Sequence, residues 1–115
     1  MDALHALTAA GTSKLRIGIC LDGCDGADPT DKSDWSEEYI GVDKFAFYSS
    51  FGVGKESELF VLSVSGFSVP AGSQLLDDFG DQNGASFSTH DKDQDTLASS
   101  NCGKKYRGGW WYTNC

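Results

Sequence analysis

The chain has 115 residues, a formal net charge of −8, 39% hydrophobic and 12% aromatic side chains, and 14 glycines. That is enough for one domain with a modest core and too little for two of ordinary size. Most of the acid is Asp, which favours loops and caps; acid gathered in loops repels phosphate, so nucleic acid and anionic membrane surfaces are poor partners and hard cations are suitable ones. No stretch approaches the ~20 apolar residues that a membrane span needs.

Met1 is followed by a short acidic, amphipathic segment rather than the basic and then apolar order of a signal peptide, so a secreted protein is expected to reach this form as a mature piece. Asp2 is placed to cap a helix over residues 3–9, with Leu4 and Leu7 on one face and Gly11 at its end. "KLRIGI", Lys14 to Ile19, alternates Leu15, Ile17 and Ile19 and reads as a strand. A long acidic excursion over residues 20–37 follows, with Asp22, Asp25, Asp28, Asp31 and Asp34 among Gly, Pro and Ser. It has no regular element behind it and reads as a solvated loop. "YIGVDKFAFYSSFGVG", Tyr39 to Gly54, reads as a strand and turn, and "ELFVLSVSGFS", Glu58 to Ser68, as another strand. "AGSQLLDDFG" is compatible with one helical turn, and Asn83-Gly84 marks a tight turn. The remainder reads as Gly- and Ser-rich loop. A short helix, antiparallel strands and a loop-dominated C-terminal third make the fold class α+β.

Four cysteines, Cys20, Cys24, Cys102 and Cys115, in a small loop-rich chain favour disulfides and an oxidising compartment. Of the three possible pairings, Cys20–Cys24 and Cys102–Cys115 are the simplest. Zinc is the rival, although the spacing of structural zinc ligands does not occur twice.

The stretch "HDKDQDTLASSNC", His90 to Cys102, sets Asp91, Asp93 and Asp95 on alternate positions of an irregular segment. Ca²⁺ takes 6–8 hard oxygens from carboxylates, main-chain carbonyls and water. An EF-hand is excluded, because its glycine and bidentate glutamate positions fall on Thr96 and Cys102. Ligands after Asp95 would be carbonyls, with Leu97 and Ser99 in reach. On spacing alone, an ion site and a plain acidic turn are equally compatible with the stretch. Trp110-Trp111, with Tyr106 and Tyr112, concentrates aromatic surface beside it. One of the two Trp belongs in the core, Gly108 and Gly109 permit close backbone approach, and an exposed aromatic patch suits a sugar or small ligand. Enzymatic function is not expected. His5 and His90 lack a nucleophile frame, no phosphate-binding glycine motif occurs, and the acids are contiguous rather than opposed.

The run "FSTHDKDQDTLASSNCGKKYRGGWWYTNC" resembles the fibrinogen-related domain, of the ficolin and tachylectin type. The shared pattern is F-S-T-x-D-x-D-x-D, then N-C, then Y-x-G-x-W-W-Y-x-x-C. A weaker likeness extends over "DALHALTAAGTSKLRI", "YSSFGVG" and "LFVLSVSGFS", nearly the whole chain outside residues 20–37. The resemblance implies a secreted, disulfide-bonded module with a central-sheet part over about 1–86 and the start of a calcium- and ligand-binding part over about 87–115. It implies Ca²⁺ held by the carboxylates of Asp93 and Asp95 and the carbonyls of Leu97 and of Ser99 or Ser100, with Asp91 as a supporting acid. It also implies a Cys102–Cys115 disulfide, Tyr106 as an aromatic wall of an acetyl pocket, and a cis Asn114–Cys115 bond presenting main-chain N–H groups. The implied partner is acetylated carbohydrate, such as N-acetylglucosamine or a microbial surface glycan, in innate immunity. The alternatives are an amino-terminal peptide, as in fibrin assembly, and a structural fragment. About half a family domain is covered; the N-terminal subdomain and the pocket residues that follow the last cysteine in the family lie outside it. Homo-oligomers of a parent protein would form through regions not in this stretch.

Overall fold

The computed structural model describes residues 1–19 and 44–115. The expected Cys20–Cys24 bridge and acidic excursion lie outside these residues. Helix α1 spans Asp2–Thr8 and strand β1 Leu15–Ile19; β2 spans Lys44–Val53 and β3 Leu62–Ser68. They form one antiparallel sheet in the order β1-β2-β3. A central antiparallel sheet with short helices makes the class α+β, as expected.

The core sits on one side of this sheet. Tyr48, Phe51, Val53, Leu62, Val64 and Trp111 form a single buried cluster, with Leu4, Leu15, Ile17 and Phe67 packed against it. Along β2 the buried positions change phase. Ala46 and Tyr48 are buried before residue 49, whereas Phe51 and Val53 are buried after it. Strict alternation would put Tyr48 and Phe51 on opposite faces. The ladder pairs Tyr48 with Phe67 and Ser50 with Ser65, and between them Gly66 has φ +72°. This kink across both strands lets Tyr48 and Phe51 reach the same core.

Helix α1 docks on the end of β2 through polar groups. The Thr8 hydroxyl donates to the Leu4 carbonyl at 3.0 Å and accepts from the Val53 N–H at 3.0 Å; His5 Nδ1 pairs with the Val53 carbonyl at 2.7 Å. The docked face is therefore Leu4, His5 and Thr8. Leu7, expected beside Leu4, is 76% exposed, because those polar contacts set the helix rotation.

The predicted strand from Glu58 is shorter than expected. Glu56–Glu58 forms a 3-10 turn, and Leu59 and Phe60 follow with φ +57° and +50°. Two successive non-glycine residues in the left-handed region are costly. What holds them is visible in the contacts: the Leu59 carbonyl accepts from the Phe87 N–H at 3.1 Å and the Phe60 carbonyl from Trp111 Nε1 at 2.8 Å. Another 3-10 turn, Gly80–Gln82, stands near the end of the segment expected to hold a helical turn. Asn83 Oδ1 accepts from the Val64 N–H at 2.8 Å, tying the Asn83-Gly84 turn to β3. Among the described residues no helix is long and apolar enough to cross a membrane.

Candidate functional site

Residues 87–115 contain one short helix, α2, Cys102–Tyr106, which composition alone conceals as loop. Its signal lies in Asn101. The Asn101 Oδ1 accepts from the Lys104 N–H at 2.8 Å as an N-cap, while its amide donates to the Thr89 carbonyl at 3.2 Å. Gly103 lies against the same backbone: a Cβ there would fall 2.7 Å from the Thr89 carbonyl carbon. Gly109 is equally tight against the Phe87 ring at 2.7 Å, whereas Gly108 faces open space and is not a close-approach position.

The acidic stretch is organised from within. Ser88 is fully buried; its hydroxyl accepts from the Gln94 N–H at 2.9 Å, and its main chain pairs with Trp110. Thr89 and Lys92 close a turn, in which Asp91 accepts from the Thr89 hydroxyl at 2.7 Å. That bond, with the Asp91 N–H and neighbouring His90, holds the Asp91 carboxyl below its ordinary range. Asp91 is thus engaged with Thr89 and not with the next two acids.

Asp95 is the hinge of the segment. One carboxylate oxygen accepts from the Leu97 N–H and the other from the Cys102 N–H, both at 2.8 Å. The Cys102 N–H is the largest cause of a depressed Asp95 pKa; the Leu97 N–H and the adjacent Asp93 carboxyl lower it further, against the opposing effect of burial. Asp93 Oδ1 accepts from the Asp95 N–H at 3.3 Å, and its side chain is exposed. A carboxylate has about four lone-pair sites, so both acids retain oxygens for a cation after these bonds. The Leu97 carbonyl accepts from the Ser100 N–H at 3.2 Å, and Ser99 is exposed. Among the described residues no three His, Cys, Asp or Glu side chains converge. A cation here would therefore take two carboxylates and complete its shell from carbonyls and water. These hard oxygens fit Ca²⁺ and not zinc.

A disulfide joins Cys102 to Cys115, with Cα atoms 5.8 Å apart, and closes the aromatic end onto the acidic segment. Thr96 N–H also donates to the Thr113 carbonyl at 3.1 Å. Of the adjacent pair Trp110-Trp111, Trp111 is core and Trp110 is 42% exposed. Tyr106 is 56% exposed and stacks on Tyr112 with ring centroids 5.9 Å apart, under the Lys105 ammonium at 5.3 Å.

Residues 1–115, the entire chain, match the family described as "Fibrinogen beta and gamma chains, C-terminal globular domain". This chain is a member of that fibrinogen-like family. Ryncolin-4 of Cerberus rynchops is 34% identical over an alignment of 118 residues that covers 99% of this chain and 27% of that protein. The fibrinogen-like globe domain of human ANGPTL2 superposes with a TM-score of 0.71 at 32% identity, covering 99% of this chain and 43% of that one. Lamprey fibrin D-dimer, complexed with the peptide Gly-His-Arg-Pro-amide, gives a TM-score of 0.67 at 25% identity, over 99% and 33%. The chain thus spans less than half the length of each of these relatives.

In this fibrinogen-like chain Tyr106 stands on the last residue of α2, Asn114 is exposed and Cys115 is half-buried. The disulfide brings Cys115 back to the start of the same helix. The expected cis bond between Asn114 and Cys115 is not present, since no described peptide bond is cis. A non-prolyl cis bond costs roughly 3–4 kcal/mol and persists only where its surroundings enforce it. Here Asn114 is exposed, and Cys115 is held by its sulfur and by Lys105 Nζ on its carbonyl at 2.7 Å.

Proposed function

We propose that this chain is the calcium-braced part of a secreted, lectin-like recognition domain for acetylated carbohydrate, such as N-acetylglucosamine or a microbial surface glycan. The observation that carries the reading is the Asp95 carboxylate, which bonds Leu97 and Cys102 main chain beside Asp93, at the foot of the Cys102–Cys115 bridge. Ca²⁺ would be held by Asp93, Asp95 and the carbonyls of Leu97 and Ser99, and would supply positive charge that neutralises the two acids. The chain's own residues do the rest. Asp95 orients the start of α2, the disulfide fixes its distance from Asn114, and Tyr106 offers an exposed ring to an apolar methyl or sugar face. Membership of a fibrinogen-like family supports recognition over catalysis as the activity.

Calorimetric titration with Ca²⁺ is expected to show one saturable site that Asp93→Asn combined with Asp95→Asn abolishes. Retention on immobilised N-acetylglucosamine is expected with calcium and to be lost in chelator and in Tyr106→Ala. A calcium titration with no heat or an unaltered double variant sinks the cation site. The lamprey relative is complexed with a peptide; competition by Gly-His-Arg-Pro-amide but not by N-acetylglucosamine would turn the reading to peptide recognition.

A further inference from the structure

The outer face of the sheet, away from residues 87–115, has a feature at odds with the charge of the chain. A shallow groove of about 320 Å³ there is lined by Lys14, Arg16, Phe47, Ser49 and Ser68 among others, with two cations and no acid, in a chain of net charge −8. The ladder aligns Arg16, Phe47 and Ser68 as one rung across three strands. Lys14 and Ser49 lie two residues along the same face, and their neighbours Leu15 and Tyr48 turn into the core.

Arg16 and Ser49 are held in place. The Arg16 guanidinium carbon sits 4.0 Å from the Phe45 ring centroid and 6.0 Å from that of Phe47, which fixes its planar fork. Among the described residues neither Arg16 nor Lys14 lies within ion-pair distance of a carboxylate. Phe47 is 39% exposed. Ser49 occupies space that only glycine leaves open: a Cβ at Gly66, whose φ is +72°, would fall 1.9 Å from Ser49 Oγ. The groove therefore offers a fork for a carboxylate or sulfate, an open ring for the C–H face of a sugar, and two hydroxyls for sugar hydroxyls.

We propose that this groove binds an acidic saccharide, through Arg16 and Lys14 on its anionic group and Phe47 under its ring, independently of calcium. An acidic peptide would satisfy the cations but would leave the open ring and the paired hydroxyls unused.

The test is calorimetry and amide-shift mapping in chelator, with a heparin-derived tetrasaccharide for sulfate and a hyaluronan tetrasaccharide for carboxylate. Saturable binding of either is expected, with shifts at Arg16, Phe47 and Ser68. Arg16→Gln is expected to weaken it about 10-fold or more, and Phe47→Ala about 3–10-fold, both being solvent-facing changes. Unbound tetrasaccharides overturn the proposal, as does equal affinity in Arg16→Gln. Displacement by polyglutamate with no effect of Phe47→Ala also overturns it, in favour of an acidic peptide. Binding that disappears in chelator belongs to the C-terminal segment and overturns it too. Because the groove needs no calcium, the acetylated-sugar reading stands or falls separately.

Discussion

The sheet and the segment from Phe87 to Cys115 are stabilised by different means. In the sheet, β2 and β3 pair on either side of the kink at Gly66, and Leu62, Val64, Phe51 and Val53 are buried against the core. In the C-terminal segment, side chains do the work of ladders: Asn101 caps α2, Asp95 gathers two N–H groups, Ser88 orders Gln94, and a disulfide closes the end. Apolar burial is diffuse and tolerant of small changes, whereas directional polar contacts are specific and fail one at a time. A ligand site benefits from the second kind of order, because it fixes particular atoms.

Trp111 is where the two regions meet, so its removal tests whether they are separable. It is core-buried, packs edge-on to Phe87 with centroids 5.1 Å apart, and donates to the Phe60 carbonyl. Trp111→Ala is expected to cost about 3–5 kcal/mol in urea unfolding, from lost burial and an orphaned carbonyl. Trp111→Phe keeps most of the burial and isolates the hydrogen bond. If both regions still unfold in one transition in the milder variant, Trp111 is not their only coupling.

The disulfide is expected to act next most strongly and more locally. It closes a loop with a sequence separation of 13, worth roughly 3 kcal/mol in the chain-entropy model. With Cys102→Ser and Cys115→Ser together, hydrogen exchange should rise over residues 87–115 and change little over β2 and β3. Uniform loss of protection would show that the sheet depends on the bridge.

These expectations show why the two regions were unequally legible. β1 and the first half of β3 follow from alternation, because one face packs on the core. The phase change in β2 was hidden, since it depends on Gly66 lying opposite it, which is a property of the pairing and not of either strand. The helix α2 was hidden behind Gly103, a poor helix former retained for its contact with Thr89. Asn101 was nevertheless its visible cap. The acids at 93 and 95 could be marked as candidates, yet their separation from Asp91 rests on a hydroxyl from Thr89 that spacing cannot reveal.

Gly103→Ala is a smaller and sharper intervention. Its methyl would meet the Thr89 backbone at 2.7 Å, so α2 must shift away from the acidic segment at a cost of about 1–3 kcal/mol. Calcium affinity should fall more than overall stability, because Asp95 loses its alignment with the Cys102 N–H. Calcium binding unchanged in a folded variant would show that α2 does not position the acids.

The smallest effect lies on the sheet side, in a polar contact of the kind that dominates the other region. The buried Tyr48 hydroxyl donates to Asp77 at 2.5 Å, and Asp77 also accepts from the Gly80 N–H at 2.9 Å, anchoring the loop after β3. Burial chiefly, and then the Asp77 carboxylate, push the Tyr48 pKa up from 10.0 to about 12. The neutral phenol is the form that the fold favours, so the unfolded chain releases this proton at lower pH than the folded one. The stabilisation is complete below about pH 10 and falls as pH rises from 10 to 12. Tyr48→Phe should cost about 1–2 kcal/mol at pH 8, where the hydrogen bond is intact. By pH 11.5 the gap between the two urea midpoints should narrow, because only the wild type loses this contribution on the way. A gap constant across that range would mean that the phenol ionises alike in the folded and the unfolded chain, and that its bond to Asp77 does not hold the proton.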